Sequence, residues 1–104
     1  MPRPKIPRKI CGRPANSCFK PNGIPLKQLE QISLLDDEFE ALRLVDCLGM
    51  QQQQAAAEMN ISRQTLANVL KSGRFKVMTC LLQGKALLMN RRDDEENNQE
   101  DKTP

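Results

Sequence analysis

Arg63, Gln64 and Asn68 sit within the stretch QQQQAAAEMNISRQTLANVLKSGRFK at 51–76, where a helix would turn Gln64, Asn68 and Lys71 away from its apolar side. The chemistry these side chains offer is recognition, not catalysis. A guanidinium grips the edge of guanine with two hydrogen bonds, and a carboxamide matches adenine. Arg63, Gln64 and Asn68 are therefore the candidates for base edges. Ser62, Thr65, Lys71, Arg74 and Lys76 are the candidates for phosphate oxygens, contacts that set register on a duplex. Between residues 61 and 92 there are seven Lys/Arg and no Asp or Glu. A carboxylate-free stretch of that length favours a polyanion partner.

Positioning such side chains requires two helices and a sharp turn. Ala55, Ala56 and Ala57 are small enough to let a second helix approach closely. Asn60 tolerates the left-handed backbone that the turn needs, and Ser62 stands where an N-cap belongs. Leu66, Leu70, Gly73 and Val77 recur at helical spacing, with Val69 beside them. The pattern is a helix-turn-helix whose recognition helix starts at Ser62. Spacing alone would fit any helical hairpin; the coincidence of motif and charge is what favours nucleic acid. Phe75 falls on the polar side of the wheel, so either it packs on the N-terminal segment or the helix bends near Gly73.

A chain of 104 residues holds one domain at most, and its polar ends confine a foldable core to about sixty residues. The net charge of +3 conceals segregation. Residues 1–30 carry seven basic groups and one acidic, 31–60 one basic and six acidic, and 93–104 six acidic and one basic. No apolar run approaches a membrane span, no signal-peptide core follows the start, and a cytoplasmic protein with reduced thiols is expected. Cys11 and Cys18 are too far apart for a zinc knuckle, and without His a closed site lacks ligands, so neither metal nor cofactor is expected. The absence of His, of a phosphate loop and of a nucleophile elbow argues against an enzyme. The near absence of aromatics argues against a base-stacking platform for RNA.

In order, residues 1–9 interleave Pro with Arg3, Lys5, Arg8 and Lys9, which suits an extended basic arm. It either lies along phosphates or in a minor groove, or is a solvated leader. Residues 10–30 are dense in Pro and Gly and suggest an irregular hairpin turning at Asn22-Gly23, with Phe19 and Ile24 laid on the core. Residues 34–48 read as a helix with Asp36 as cap, an apolar stripe of Leu35, Phe39, Leu42 and Val45, and Gly49 as stop. Its carboxylates Asp37, Glu38 and Glu40 read as a solvated face. Gly84 should end the recognition helix, leaving residues 85–89 as a packed tail or a piece of extended chain. Residues 90–104 have the composition of a disordered acidic tail, either solubilising or competing with DNA for the basic face. The expected fold class is all-α, divided into a 1–30 arm and irregular segment, a 31–89 helix-turn-helix domain and the 90–104 tail.

With these pieces assembled, residues 1–89 resemble the uncharacterised protein family 0251. The resemblance rests on MPRPK at the start, FKPNGIPL at 19–26, DEFEALRLVD at 37–46, AAAEMNISRQTL at 55–66 and GKAL at 84–87. It implies small prokaryotic proteins with a helix-turn-helix similar to region four of sigma factors, and a role in transcription. The chain departs from the family pattern at Asn60, where Gly is usual, at Asn68, where Arg is common, and at Phe75, where a basic residue is common. The reading is sequence-specific binding of double-stranded DNA by a transcriptional regulator. The alternative is a module docking on RNA polymerase or another regulator through the acidic first helix. Oligomeric state is left open.

Overall fold

The structure, a computed structural model, describes residues 8–92. Three strands and three helices account for most of them: β1 (Cys18–Phe19), β2 (Gln31–Leu35), α1 (Asp36–Leu42), α2 (Gln52–Glu58), α3 (Arg63–Gln83) and β3 (Ala86–Asn90). The expectation of an all-α fold is corrected. The strands form one mixed sheet in the order β1–β3–β2. β3 lies in the middle, antiparallel to β1 and parallel to β2, with Ile32 opposite Leu87 and Leu34 opposite Met89. Parallel neighbours need a long crossover, and here the whole helical unit supplies it. The strands escaped the sequence reading because ISLL and ALLM are runs too short for periodicity to separate strand from helix. Their partners also lie more than fifty residues apart.

α1 starts two residues later than expected, because Leu34 and Leu35 finish β2. The Leu35 N–H, exposed by the helix start, donates to a Glu38 carboxylate oxygen at 2.9 Å. Past Leu42 the helix widens into a π-helical turn over Arg43–Cys47, and Gly49 takes φ 75° to leave it. α3 begins at Ser62, whose hydroxyl accepts the Thr65 N–H at 3.0 Å, and ends at Gly84 in the left-handed region. α3 is continuous through Gly73. There it passes so near α1 that a Cβ would sit 3.2 Å from both Glu38 Cβ and Leu42 Cδ1. Glycine permits this close crossing.

Two apolar clusters result. One joins α1, α2 and α3 through Ala41, Leu44, Ala55, Ala56, Met59, Leu66, Val69 and Leu70. The other joins α3 to the sheet through Leu34, Cys80 and Leu87, and Leu42 touches both. The segment at 10–30 contributes an edge strand instead of a hairpin cover, and Phe19 and Ile24 are exposed. The acidic residues also require a correction. Asp37, Glu38 and Glu40 are 1%, 2% and 2% exposed, so they form no solvated face. Each is surrounded by donors, the condition under which buried carboxylates are tolerated.

Candidate nucleic-acid interface

The buried carboxylates decide which cations remain for a ligand. Glu38 accepts from the Ser72 hydroxyl at 2.5 Å and from Lys76 Nζ at 2.8 Å, and Lys76 also donates to the Ser33 carbonyl at 2.8 Å. Asp37 is gripped by Arg8 and Arg92. Glu40 accepts the backbone N–H groups of Cys11 and Gly12 at 3.1 and 3.0 Å, and both arms of the Arg43 guanidinium at 2.8 and 2.9 Å. Burial alone would push its carboxyl up. The hydrogen bonds from Arg43, Cys11 and Gly12 together outweigh that and hold it below the usual carboxylate range. Arg74 forks onto Asp46 at 2.7 and 3.1 Å, and these bonds hold the Asp46 carboxyl low. Of the phosphate candidates, Lys76, Arg8 and Arg74 thus brace the fold.

A different set points outward. The turn between α2 and α3 places Asn60 at φ 58°, the one non-glycine residue with positive φ among those described. Ile61 N–H donates to the Ala56 carbonyl at 3.0 Å and locks the turn. Arg63, Gln64, Asn68 and Lys71 then emerge exposed on the first half of α3. No described residue pairs with Arg63 or Lys71. Gln64 Nε2 donates to Asn68 Oδ1 at 3.3 Å, so one carboxamide oxygen and one NH2 of the pair face solvent together. Ser62 and Thr65 are occupied with each other at the cap, at 2.9 Å between hydroxyls. Lys9 reaches the same region: its N–H donates to the Met59 carbonyl at 3.1 Å, and it borders a shallow hollow with Gln54, Ala57, Glu58 and Asn60. Arg3 and Lys5 lie outside the described residues.

Sequence reasoning grouped all these cations by charge and missed that burial had divided them. The signal that could have found the division is the pairing of DDEFE with equally isolated basic residues 29–55 positions away. That is a long-range match no local pattern contains.

The fold is α/β: α1, α2 and α3, the last two joined by a tight turn, connect two parallel strands of a small mixed sheet. The chain belongs to the UPF0251 family: the family model described as "Protein of unknown function DUF134" matches residues 1–97. A UPF0251 protein of Aeromonas salmonicida is 71% identical over 93 residues, covering 89% of this chain and 91% of its own. One of Vibrio cholerae is 61% identical over 94 residues, covering 90% and 96%. A more distant relative in Dehalococcoides mccartyi is 53% identical over 87 residues, covering 84% and 74%. No solved structure matches the chain.

Proposed function

We propose that the protein binds double-stranded DNA in a sequence-specific manner, as a prokaryotic transcriptional regulator, by laying the first half of α3 in a major groove. The observation that carries this reading is the split among the cations. The basic residues that could face solvent on α3 without a carboxylate partner, Arg63 and Lys71, lie beside the Gln64–Asn68 pair and next to a sharply turned α2. Arg63 and the carboxamides supply base contacts, and Lys71 and Lys9 supply phosphate contacts. Lys9, whose backbone N–H is held by the Met59 carbonyl, lies beside the turn between α2 and α3, and Arg3 and Lys5 of the basic arm are further phosphate candidates of this reading. A cytoplasmic location belongs to this reading, since the DNA it addresses is there.

Docking on RNA polymerase or another regulator through the acidic first helix draws no support from a helix three of whose four carboxylates are turned into the core. Fluorescence anisotropy against random duplex at several salt concentrations tests the reading. Binding that weakens steeply with salt, followed by enrichment of a defined site in selection from a random pool, is the expected result. No binding at low salt would end it.

A further inference from the structure

The second half of α3 is unlike the first. Phe75, Met78, Leu81 and Leu82 are 69%, 60%, 73% and 81% exposed, on a helix whose opposite side is fully packed. Phe75, Met78 and Leu82 follow the 3–4 spacing of a helix–helix seam, and Leu81 flanks it. Beyond Leu81 the apolar surface continues into a groove of about 290 Å³ between α3 and β3, lined by Phe19, Pro21, Val77 and Leu87 among others. We propose that this stripe pairs with the same stripe of a second copy, the two α3 helices running antiparallel about a two-fold axis.

Two observations favour a second copy as the occupant. The area is that of a weak dimer: four side chains this exposed offer roughly 500 Å² per copy, so a pair buries at most roughly 1,000 Å², the lower bound of a specific interface. The chain's own acidic end does not fit the stripe, since residues 93–104 contain no apolar side chain larger than Pro or Thr.

Sedimentation equilibrium of the full chain, under reducing conditions and without DNA, tests the pairing. A monomer–dimer equilibrium in the micromolar range is expected. Met78→Glu with Leu82→Glu should weaken it by about tenfold or more, with an unchanged thermal melt at concentrations low enough to keep both chains monomeric, because neither side chain belongs to the core. Phe75→Ser, a milder change, should weaken it in the same direction. Leu48→Glu, at an exposed leucine that is not part of the stripe, should leave it intact. A wild-type chain that stays monomeric overturns the proposal, whether or not it floats with anionic vesicles, and so does a dimer indifferent to the double substitution. A chain that dimerises but binds no duplex keeps the pairing and removes the DNA reading instead.

Discussion

Arg63 and Arg74 have the same credentials in sequence, yet the fold gives them opposite duties. Arg74 is committed to Asp46, whereas Arg63 has no partner among the described residues. Replacing Arg63 or Gln64 with Ala should cost about 1–3 kcal/mol on a selected site and little on random duplex. Lys71→Ala should weaken both alike and flatten the salt slope by about one counterion. Anisotropy titrations on the two duplexes separate these outcomes, and equal loss on both for Arg63→Ala would make Arg63 a phosphate clamp. Glu40 presents the reverse case, a carboxylate that does its work inside. Glu40→Gln keeps an oxygen for one N–H but leaves the Arg43 fork without a counter-charge, and should cost about 2–4 kcal/mol. The folded-state pKa of Glu40 is depressed, so its contribution is complete above the ordinary value of 4.5 and fades as pH falls through the lower folded value. Urea midpoints of wild type and variant should therefore differ most near neutrality and converge below pH 4.5. A constant gap down to strong acid would mean that Glu40 acts by shape and not by charge.

At the scale of elements, the turn between α2 and α3 was legible because its causes are local. An Asn in the left-handed region, a Ser cap three residues before the N–H it accepts, and a run of small alanines all announce themselves within a dozen positions. The turn makes a test possible. Asn60→Gly removes the residual strain of φ 58° and should hold or raise stability, while Asn60→Ala should lower it by about 1 kcal/mol, read from paired thermal melts. Equal melts for all three would show that the turn tolerates another geometry. The acidic helix was illegible for the opposite reason. DDEFE has the composition of a solvated first turn, and apart from Arg43 and the Leu35 N–H the groups that make its burial tolerable (Lys76, Ser72, Arg92, Arg8 and the Cys11–Gly12 backbone) are distant in sequence. The same holds for the strands. β3 is stabilised as a strand by what flanks it on both sides, and ALLMN alone contains neither neighbour. Phe75, which fitted no stripe in the sequence, stands in solvent at the start of an apolar surface that only the packed fold makes visible.

Across the whole molecule the charges sort by depth. Three of the six carboxylates of the helical unit are turned inward to brace it, and the outward face of α3 between Arg63 and Lys71 is left purely cationic and amide. Residues beyond Arg92 carry six of the chain's acidic groups and one basic, so a chain ending at Arg92 keeps fifteen basic against seven acidic. Those seven include the three buried and paired on α1, which contribute little repulsion toward a ligand at the surface. The acidic end is thus the main source of negative charge able to act at a distance on an approaching duplex. If it competes for the basic face, deleting residues 93–104 should tighten binding to random duplex at low salt. The gain should vanish as the screening length shrinks below about 10 Å near 0.1 M salt. The comparison is informative because the deletion removes none of the described residues that build the sheet or brace α1. Identical salt titrations for the full and shortened chains would reduce the acidic end to a solubilising one, and the α3 face would then owe its selectivity to Arg63, Gln64 and Asn68 alone.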